Sequence, residues 1–265
     1  MSAAEPVYFT TSWDDGHPGD RRIAELLGRH GLRGTFYMPR SFKLPTIDPR
    51  EIASMGEAFE VGGHTIHHVE LDRVDDATAE REITDARAWV SDRTGQACRV
   101  FCPPKGRFHR RHTEMMSGAG YAGFRTVELW SVDRPRTRQT PGAGRGADGG
   151  VLREMPTSVQ VFPIRHSGHL RNLAKRRAVR NLGRFTRNGS NTDWLTAARR
   201  VLRSMSGRGG VFHLWGHAWE VDAIDGWADL DRFFGEVAAS REELGLRVVT
   251  NGELVDAFSG DRQAG

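Results

Sequence analysis

Ser12-Trp13-Asp14-Asp15-Gly16 is the stretch around which this chain is organised. Residues 6–11 are largely β-branched or aromatic, which predicts a strand, and the apolar spacing that follows Asp20 predicts a helix. Asp14 and Asp15 therefore end a strand and face a βα loop, where α/β proteins place their catalytic groups. Two adjacent carboxylates repel each other unless a cation or a proton separates them. Because Asp-Gly is a common turn pair, the stretch taken alone is better explained as a turn.

Length and composition bound the class of protein. With 265 residues the chain can bury one full core, the size of a single α/β barrel or doubly wound domain. No apolar run is long enough to span a bilayer, and the N-terminus lacks the basic and apolar regions of a signal peptide. We therefore expect a cytoplasmic protein without a membrane span. The two cysteines, Cys98 and Cys102, do not complete a zinc site by themselves and are expected to pack in the core.

Strand and helix patterns alternate along the whole chain, with six to eight expected strands and no internal repeat. This alternation favours a parallel sheet or barrel in one domain. The Gly-rich stretch 131–150 has little periodicity, and we predict a flexible loop there. It lacks both the Lys-Ser/Thr ending of a P-loop and the spacing of a dinucleotide fingerprint, so a phosphate-binding loop is the weaker interpretation.

Residues 165–208 form a basic segment, which we predict to be a helical insertion. It holds twelve Lys or Arg residues and one acid, Asp193, although the net charge of the chain is only +4. Such asymmetry suggests a negatively charged partner, and a solvated basic surface explains it equally well. Residues 171–184 lack interleaved aromatic side chains, which argues against base stacking, so we expect no nucleic-acid partner.

His64 and His68 change the interpretation of the two aspartates. Their spacing places two imidazoles on one face of a helical turn, as in zinc sites. With His67, they make three histidines in a polar turn, which core packing does not explain well. Two histidines and one carboxylate leave positions open for water and substrate, which is typical of a catalytic metal. Zinc is the default for such ligands, and cobalt or nickel also fits. The second aspartate would then remain free as a general base.

These motifs resemble those of the metal-dependent polysaccharide deacetylases, carbohydrate esterases with a distorted, incomplete (β/α) barrel. Their first motif, Thr-Phe-Asp-Asp-Gly, corresponds to residues 12–16, and their second, His-Ser/Thr-x-x-His, to residues 64–68. The resemblance implies one α/β catalytic domain over residues 1–265, with Asp14 as general base. It also implies a metal-ligand set of one carboxylate and two imidazoles: Asp15, His64 and His68.

The third motif departs from the family pattern, Arg-x-Pro-x-Gly. The chain reads Phe101-Cys102-Pro103-Pro104-Lys105-Gly106, with Cys102 at the arginine position. In the family that arginine supports the active-site carboxylates electrostatically. Arg125, at the end of a later strand, or Arg33 could supply the missing charge, and Arg125 is also a candidate substrate contact. The resemblance implies the peptide N–H of Lys105 as the oxyanion donor.

The fifth family motif, Leu-x-x-His, matches residues 214–217 and implies that His217 is the general acid. The following segment resembles the His-Pro-Trp-Glu segment of allantoinase-like and cyclic-imide hydrolases, which makes Trp219 a candidate substrate contact. His213 is an alternative acid, but strand alternation would point it, together with Trp215, away from the site. Asp133 is a weak candidate for orienting His217.

Together, these features predict a metal-dependent amidohydrolase of the deacetylase type, acting on non-peptide C–N bonds. The expected substrate is a small intracellular N-acetylated amino sugar or sugar conjugate. A phosphate-bearing substrate, such as a nucleotide- or lipid-linked sugar, would suit the basic segment. Two alternatives remain: hydrolysis of another linear or cyclic C–N bond, and a non-catalytic scaffold. The presence of both carboxylates and both histidines argues against the scaffold. The sequence leaves a homo-oligomer open.

Overall fold

The computed structural model describes residues 5–140, 151–164, 166–176, 178–188 and 193–260. Its strands are β1 (Val7–Asp14), β2 (Thr35–Met38), β3 (Glu60–Gly63), β4 (Val100–Phe101), β5 (Gly123–Arg125), β6 (Arg136–Gln139), β7 (Val151–Met155), β8 (Val159–Gln160), β9 (Gly210–Gly216) and β10 (Leu246–Val248). Its α-helices are α1 (Asp20–Arg29), α2 (Ile52–Ala58), α3 (Asp76–Thr94), α4 (Arg110–Gly118), α5 (His166–Lys175), α6 (Leu182–Asn188), α7 (Trp194–Arg203), α8 (Ala218–Ala223), α9 (Trp227–Ala239) and α10 (Asn251–Ala257). Short 3₁₀ turns lie at Leu71–Arg73, Pro104–Gly106 and Val179–Asn181.

The described strands form one sheet in the order β6-β7-β5-β4-β3-β2-β1-β9-β8, with β10 paired to the start of β1. Its strand pairs are parallel, apart from the antiparallel pair β6–β7 at one edge. Helices connect most of the parallel strands, and the sheet curls into a half-barrel. The predicted α/β fold, a distorted and incomplete (β/α) barrel, is confirmed.

Strand β1 lies between β2 and β9 in this sheet, and all eight of its residues are buried. Because side chains alternate along a strand, its two faces differ. Phe9 and Trp13 face the outer helices: the Phe9 ring stacks on Phe212 of the neighbouring β9, and the Trp13 ring contacts Phe234 of α9. The opposite face points into the barrel interior, where Tyr8 packs in a second apolar cluster. Asp14 shares the face of Tyr8 and therefore ends β1 inside the barrel.

The segment 131–150, predicted as a flexible loop, contains strand β6. Polar contacts hold this strand, since Arg138 donates to Glu154 on the neighbouring β7, and Arg136 also lies near that carboxylate. The strand lacks the apolar alternation from which a half-buried strand is usually predicted. Residues 141–150 of the predicted loop lie outside the described residues.

The described part of the basic segment 165–208 forms helices α5, α6 and α7. Helix α7 begins after Asp193, whose side chain accepts a hydrogen bond from the Thr196 N–H. Among the described residues, no helix is long and apolar enough to cross a membrane.

Candidate active site

The candidate active site lies at the carboxyl ends of neighbouring parallel strands. β1 ends at Asp14, β3 leads into His64 and β9 leads into His217. Since these strands are parallel and lie within the order β3-β2-β1-β9, their ends meet at one edge of the sheet. A cavity of about 400 Å³ opens there, and all the residues predicted as ligands, base and acid line it.

The three predicted metal ligands converge in this cavity. Asp15 Oδ1 lies 3.1 Å from His68 Nε2 and 3.4 Å from His64 Nε2. One donor atom from each residue lies within 4.8 Å of the others. Asp15 Oδ1 is buried, and no described residue donates a hydrogen bond to it. A buried carboxylate oxygen that faces two imidazole nitrogens in this way fits a divalent cation.

Backbone and ring contacts set the orientation of the ligands. Asp15 and His68 adopt left-handed φ values of 79° and 54°, which non-glycine residues adopt rarely and Asp and His more readily than most. His64 Nδ1 lies 2.6 Å from the Cys102 carbonyl oxygen, and donation of its N–H there leaves Nε2 free for a metal. The Phe42 ring packs against His68, with ring centroids 4.5 Å apart.

Glu82 on α3 supports the histidine turn, and the sequence interpretation missed it. Its carboxylate accepts hydrogen bonds from the N–H groups of Ile66 and His67, at 3.0 and 2.9 Å. It also contacts His67 Nδ1 at 2.7 Å, which holds this third imidazole away from the ligand set. Glu82 lies beside the buried Ile83 on α3. A charged residue on the buried face of an amphipathic helix is the signal that could have identified it.

Asp14 pairs with a buried arginine, and one of its carboxylate oxygens lies within 4.8 Å of a His64 ring nitrogen. The Arg125 guanidinium donates from Nη2 to both oxygens of the Asp14 carboxylate. Burial alone would raise the pKa of Asp14, but the Arg125 guanidinium, together with the nearby imidazoles of His64 and His217, holds this pKa below its usual range. Arg33, the other candidate, is half exposed and pairs with Glu253 at 3.0 Å. Arg125 therefore supplies the charge beside Asp14.

The prediction that Arg125 contacts substrate does not agree with its position. Its side chain is fully buried in the barrel interior, and it does not line the cavity. Strand β5 ends at Arg125, and alternation turns this side chain inward. Asp14 therefore lies between Arg125 and the cavity.

His217 lies across the cavity edge from the two carboxylates. Its Nε2 is 3.9 Å from Asp14 Oδ2 and 3.8 Å from Asp15 Oδ2, and its Nδ1 is 2.6 Å from Glu220 Oε2. Burial alone would lower the pKa of His217, but Glu220 and the two aspartates raise it above its usual value. Glu220 also accepts a hydrogen bond from Gln160 Nε2 at 3.1 Å.

The orienting partner of His217 is therefore Glu220. Asp133, the weak candidate, pairs with two arginines instead. Its Oδ2 lies 3.3 Å from Arg136 Nη2 and 3.9 Å from Arg180 Nη2. Glu220 lies in the segment that follows the fifth motif, but the sequence interpretation gave it no role. The three-residue spacing from His217, across the start of α8, is the signal that could have identified it.

Two tryptophans line the cavity beside His217. The Trp219 indole N–H donates to Asp15 Oδ2 at 3.0 Å, and its ring lies 5.0 Å from the His217 ring. Trp215 was expected to point away from the site, and that expectation is wrong. The inner face of β9 forms one wall of the cavity, because the sheet curls around it. His213 is fully buried and lies 2.8 Å from Ser12 Oγ, and burial together with nearby Arg125 lowers its pKa well below the usual value.

Lys105 also lines the cavity, in the turn that follows two prolines. Its backbone is left-handed, with φ of 53°. Its Nζ pairs with Glu70 at 2.6 Å, which holds the side chain to one side. What Lys105 can offer the cavity is therefore its backbone.

The rest of the cavity wall is largely apolar and includes part of the basic segment. Its remaining lining residues are Phe42, Lys43, Val127, Leu129, Gln160, Ile164, Gly168 and Asn172. Asn172 on α5 is engaged by the backbone, since its Nδ2 donates to the Val127 carbonyl and its Oδ1 accepts from the Leu129 N–H. His169 on the same helix accepts a hydrogen bond from the Trp130 indole N–H.

Comparisons with solved structures show the same fold. A Mycobacterium smegmatis protein proposed to be a polysaccharide deacetylase is 16% identical, with a TM-score of 0.69, over 97% of this chain and 91% of that one. The Puue allantoinase is 12% identical, with a TM-score of 0.64, over 99% and 93%. A CE4 family pseudoenzyme from Bacillus anthracis is 16% identical, with a TM-score of 0.56, over 97% and 67%.

Sequence comparison finds a family similarity in the N-terminal part of the chain. No curated protein sequence matches the chain. The model of the polysaccharide deacetylase family matches residues 3–124, which contain the first three motifs. The resemblance inferred from those motifs is thus confirmed, as is the expected enzyme class. Residues 3–124 of this chain are thus similar to the polysaccharide deacetylase family, a family of metal-dependent hydrolases that act on the C–N bonds of acetylated sugars.

Proposed function

We propose that this protein hydrolyses the C–N bond of a small N-acylated substrate, first of all an N-acetylated amino sugar or sugar conjugate. One observation carries the proposal: a carboxylate and two imidazoles suited to a metal share a cavity with a second carboxylate and a third imidazole. The second carboxylate, Asp14, pairs with Arg125, and the third imidazole, His217, pairs with Glu220. A scaffold protein would not need this division of roles.

The proposed mechanism gives each side chain one role. Asp15, His64 and His68 would hold a divalent metal, with zinc as the expected ion. Such an ion supplies a nucleophile at neutral pH and polarises the carbonyl. Asp14 accepts the proton of the attacking water.

The remaining roles concern the oxyanion and the leaving group. The Lys105 peptide N–H donates to the developing oxyanion. His217, held by Glu220, delivers a proton to the departing nitrogen. The raised pKa of His217 supports this role, because an acid must carry its proton when the nitrogen leaves.

Size and charge of the cavity support a small substrate. A volume of about 400 Å³ lies within the usual range of small-molecule sites. Lys43 lies among the lining residues, and α5 brings the basic segment to the wall. These features support a phosphate-bearing substrate such as a nucleotide- or lipid-linked sugar. The cytoplasmic location and the oligomeric state remain predictions.

Hydrolysis of a cyclic amide is the second candidate function. Two contacts favour it, from Trp219 to Asp15 and from Glu220 to His217, because both come from the segment that resembles cyclic-amide hydrolases. The Puue allantoinase shares the fold, which is compatible with this candidate. The Bacillus anthracis pseudoenzyme shares the fold as well, so the experiment must also test whether this protein is a non-catalytic scaffold.

The deciding experiment loads the purified protein with zinc, cobalt or nickel and measures acetate and ammonia release. The panel contains N-acetyl sugars, their phosphorylated forms and cyclic amides, and Asp14→Asn serves as the blank. We expect metal-dependent acetate release that the blank lacks. Ammonia or ring opening without acetate would favour the cyclic amide. No bound metal and no release would favour the scaffold.

A further inference from the structure

We propose that Arg125 is a positioning residue for Asp14, and that Cys102 is small because both side chains share one space in the barrel interior. The guanidinium that the family takes from the third motif has thus moved to the neighbouring strand. The inference rests on the proposed function for the role of Asp14 as base. Its geometry is independent of that role.

Strand register explains why positions 102 and 125 can exchange a side chain. β4 and β5 are parallel neighbours, with Phe101 opposite Phe124. One residue further along each strand, Cys102 and Arg125 lie side by side and point to the same face, because side chains alternate. Both reach the same carboxylate: Cys102 Sγ is 3.7 Å from Asp14 Oδ2, and Arg125 donates to both oxygens.

Contacts with neighbouring rings and with the backbone fix the orientation of the Arg125 guanidinium. It lies over the Trp215 ring at 4.5 Å and faces the Tyr37 ring at 5.5 Å. Its Nη1 also donates to the Thr126 carbonyl at 3.4 Å. Within the described part of the chain, Asp14 is the carboxylate with which it pairs. A buried guanidinium requires such a partner, and it holds that partner in place.

The same crowding restricts position 102. Cys102 is fully buried, and burial raises the pKa of its thiol, so it adds no charge beside Asp14. An arginine at 102 would enter the volume that the Arg125 guanidinium fills, and two cations would then share one carboxylate. The space beside Asp14 therefore holds one guanidinium, from either strand.

The first test separates positioning from binding. Metal content and thermal unfolding are measured before kinetics for Arg125→Lys and Arg125→Ala. We expect the kcat of Arg125→Ala to fall about 100-fold with KM and metal content little changed, because a displaced base slows chemistry rather than binding. The kcat of Arg125→Lys should lie between those of wild type and Arg125→Ala, since lysine keeps the positive charge but cannot donate two hydrogen bonds from a planar guanidinium. Arg33→Ala is the matched control and should retain the wild-type kcat. Unchanged kcat in Arg125→Ala would overturn the proposal.

The second test moves the guanidinium back to the other strand. Cys102→Arg alone and Arg125→Ala alone should each lower the unfolding temperature, whereas the double variant Cys102→Arg/Arg125→Ala should regain much of the loss. Where activity is measurable, the double variant should exceed either single variant in kcat by about tenfold or more. Additive losses would contradict a shared space. Because unfolding needs no substrate, this result stands apart from the outcome of the substrate panel.

Discussion

Asp14 and Asp15 are neighbours in sequence and have opposite surroundings. Asp14 ends β1 on its interior face and pairs with the guanidinium of Arg125. Asp15 leaves the strand with a φ of 79° and faces the imidazoles of His64 and His68. The two side chains point in different directions because they alternate along the strand and because the backbone of Asp15 is left-handed. The Asp14 carboxylate therefore pairs with a guanidinium, whereas the Asp15 carboxylate is placed to bind a metal. Adjacent acids need not share a function when the backbone sends them to different partners.

The largest expected effect tests this division directly. Asp15→Asn removes the anionic ligand, so we expect loss of bound metal and activity no higher than that measured without enzyme. Asp14→Asn should keep its metal and lose about 10²- to 10⁴-fold in kcat, the usual contribution of a general base. Metal analysis of the two purified variants, followed by kinetics, makes the comparison. Equal metal loss in both would show that the aspartates act as one ligand pair.

A smaller effect is expected at Glu220, on the opposite side of the site. Glu220→Gln keeps the size of the side chain but removes the charge that holds His217 Nδ1 at 2.6 Å. We expect kcat to fall about 10- to 100-fold with metal content unchanged, as for other residues that orient a functional imidazole. Asp133→Asn is the matched control, since Asp133 contacts Arg136 and Arg180 instead. A larger loss in the control would reassign the orienting role.

The smallest expected effect concerns the second oxygen of Asp15. Trp219→Phe keeps an aromatic wall but removes the indole N–H that donates to Asp15 Oδ2 at 3.0 Å. We expect metal affinity to weaken about tenfold, since a charge-assisted hydrogen bond contributes about 1.5 kcal/mol. Competition with a metal chelator measures the affinity. Unchanged affinity together with altered KM would assign Trp219 to substrate contact, as the sequence suggested.

Sequence patterns predicted the fold class and brought five residues of the site together. Asp14, Asp15, His64, His68 and His217 all follow recognisable strands, and parallel strands bring their carboxyl ends to one edge. What the patterns could not predict are the partners. Glu82 contacts the histidine turn from a separate helix, α3, and the position of Glu220 three residues after His217 does not by itself show that its carboxylate bonds this imidazole. β6 was missed because ion pairs rather than apolar alternation hold it.

Sequence motifs alone identify the available chemistry: two carboxylates and two histidines at the ends of strands, with Cys102 in place of the usual arginine. The residue that replaces this arginine becomes evident only in the folded sheet. Arg125 lies 23 positions further along the chain than Cys102 and becomes its neighbour only when β4 and β5 pair in register. Side-chain neighbours across a sheet are set by strand pairing, which no local pattern records, and that pairing delivers the guanidinium to Asp14.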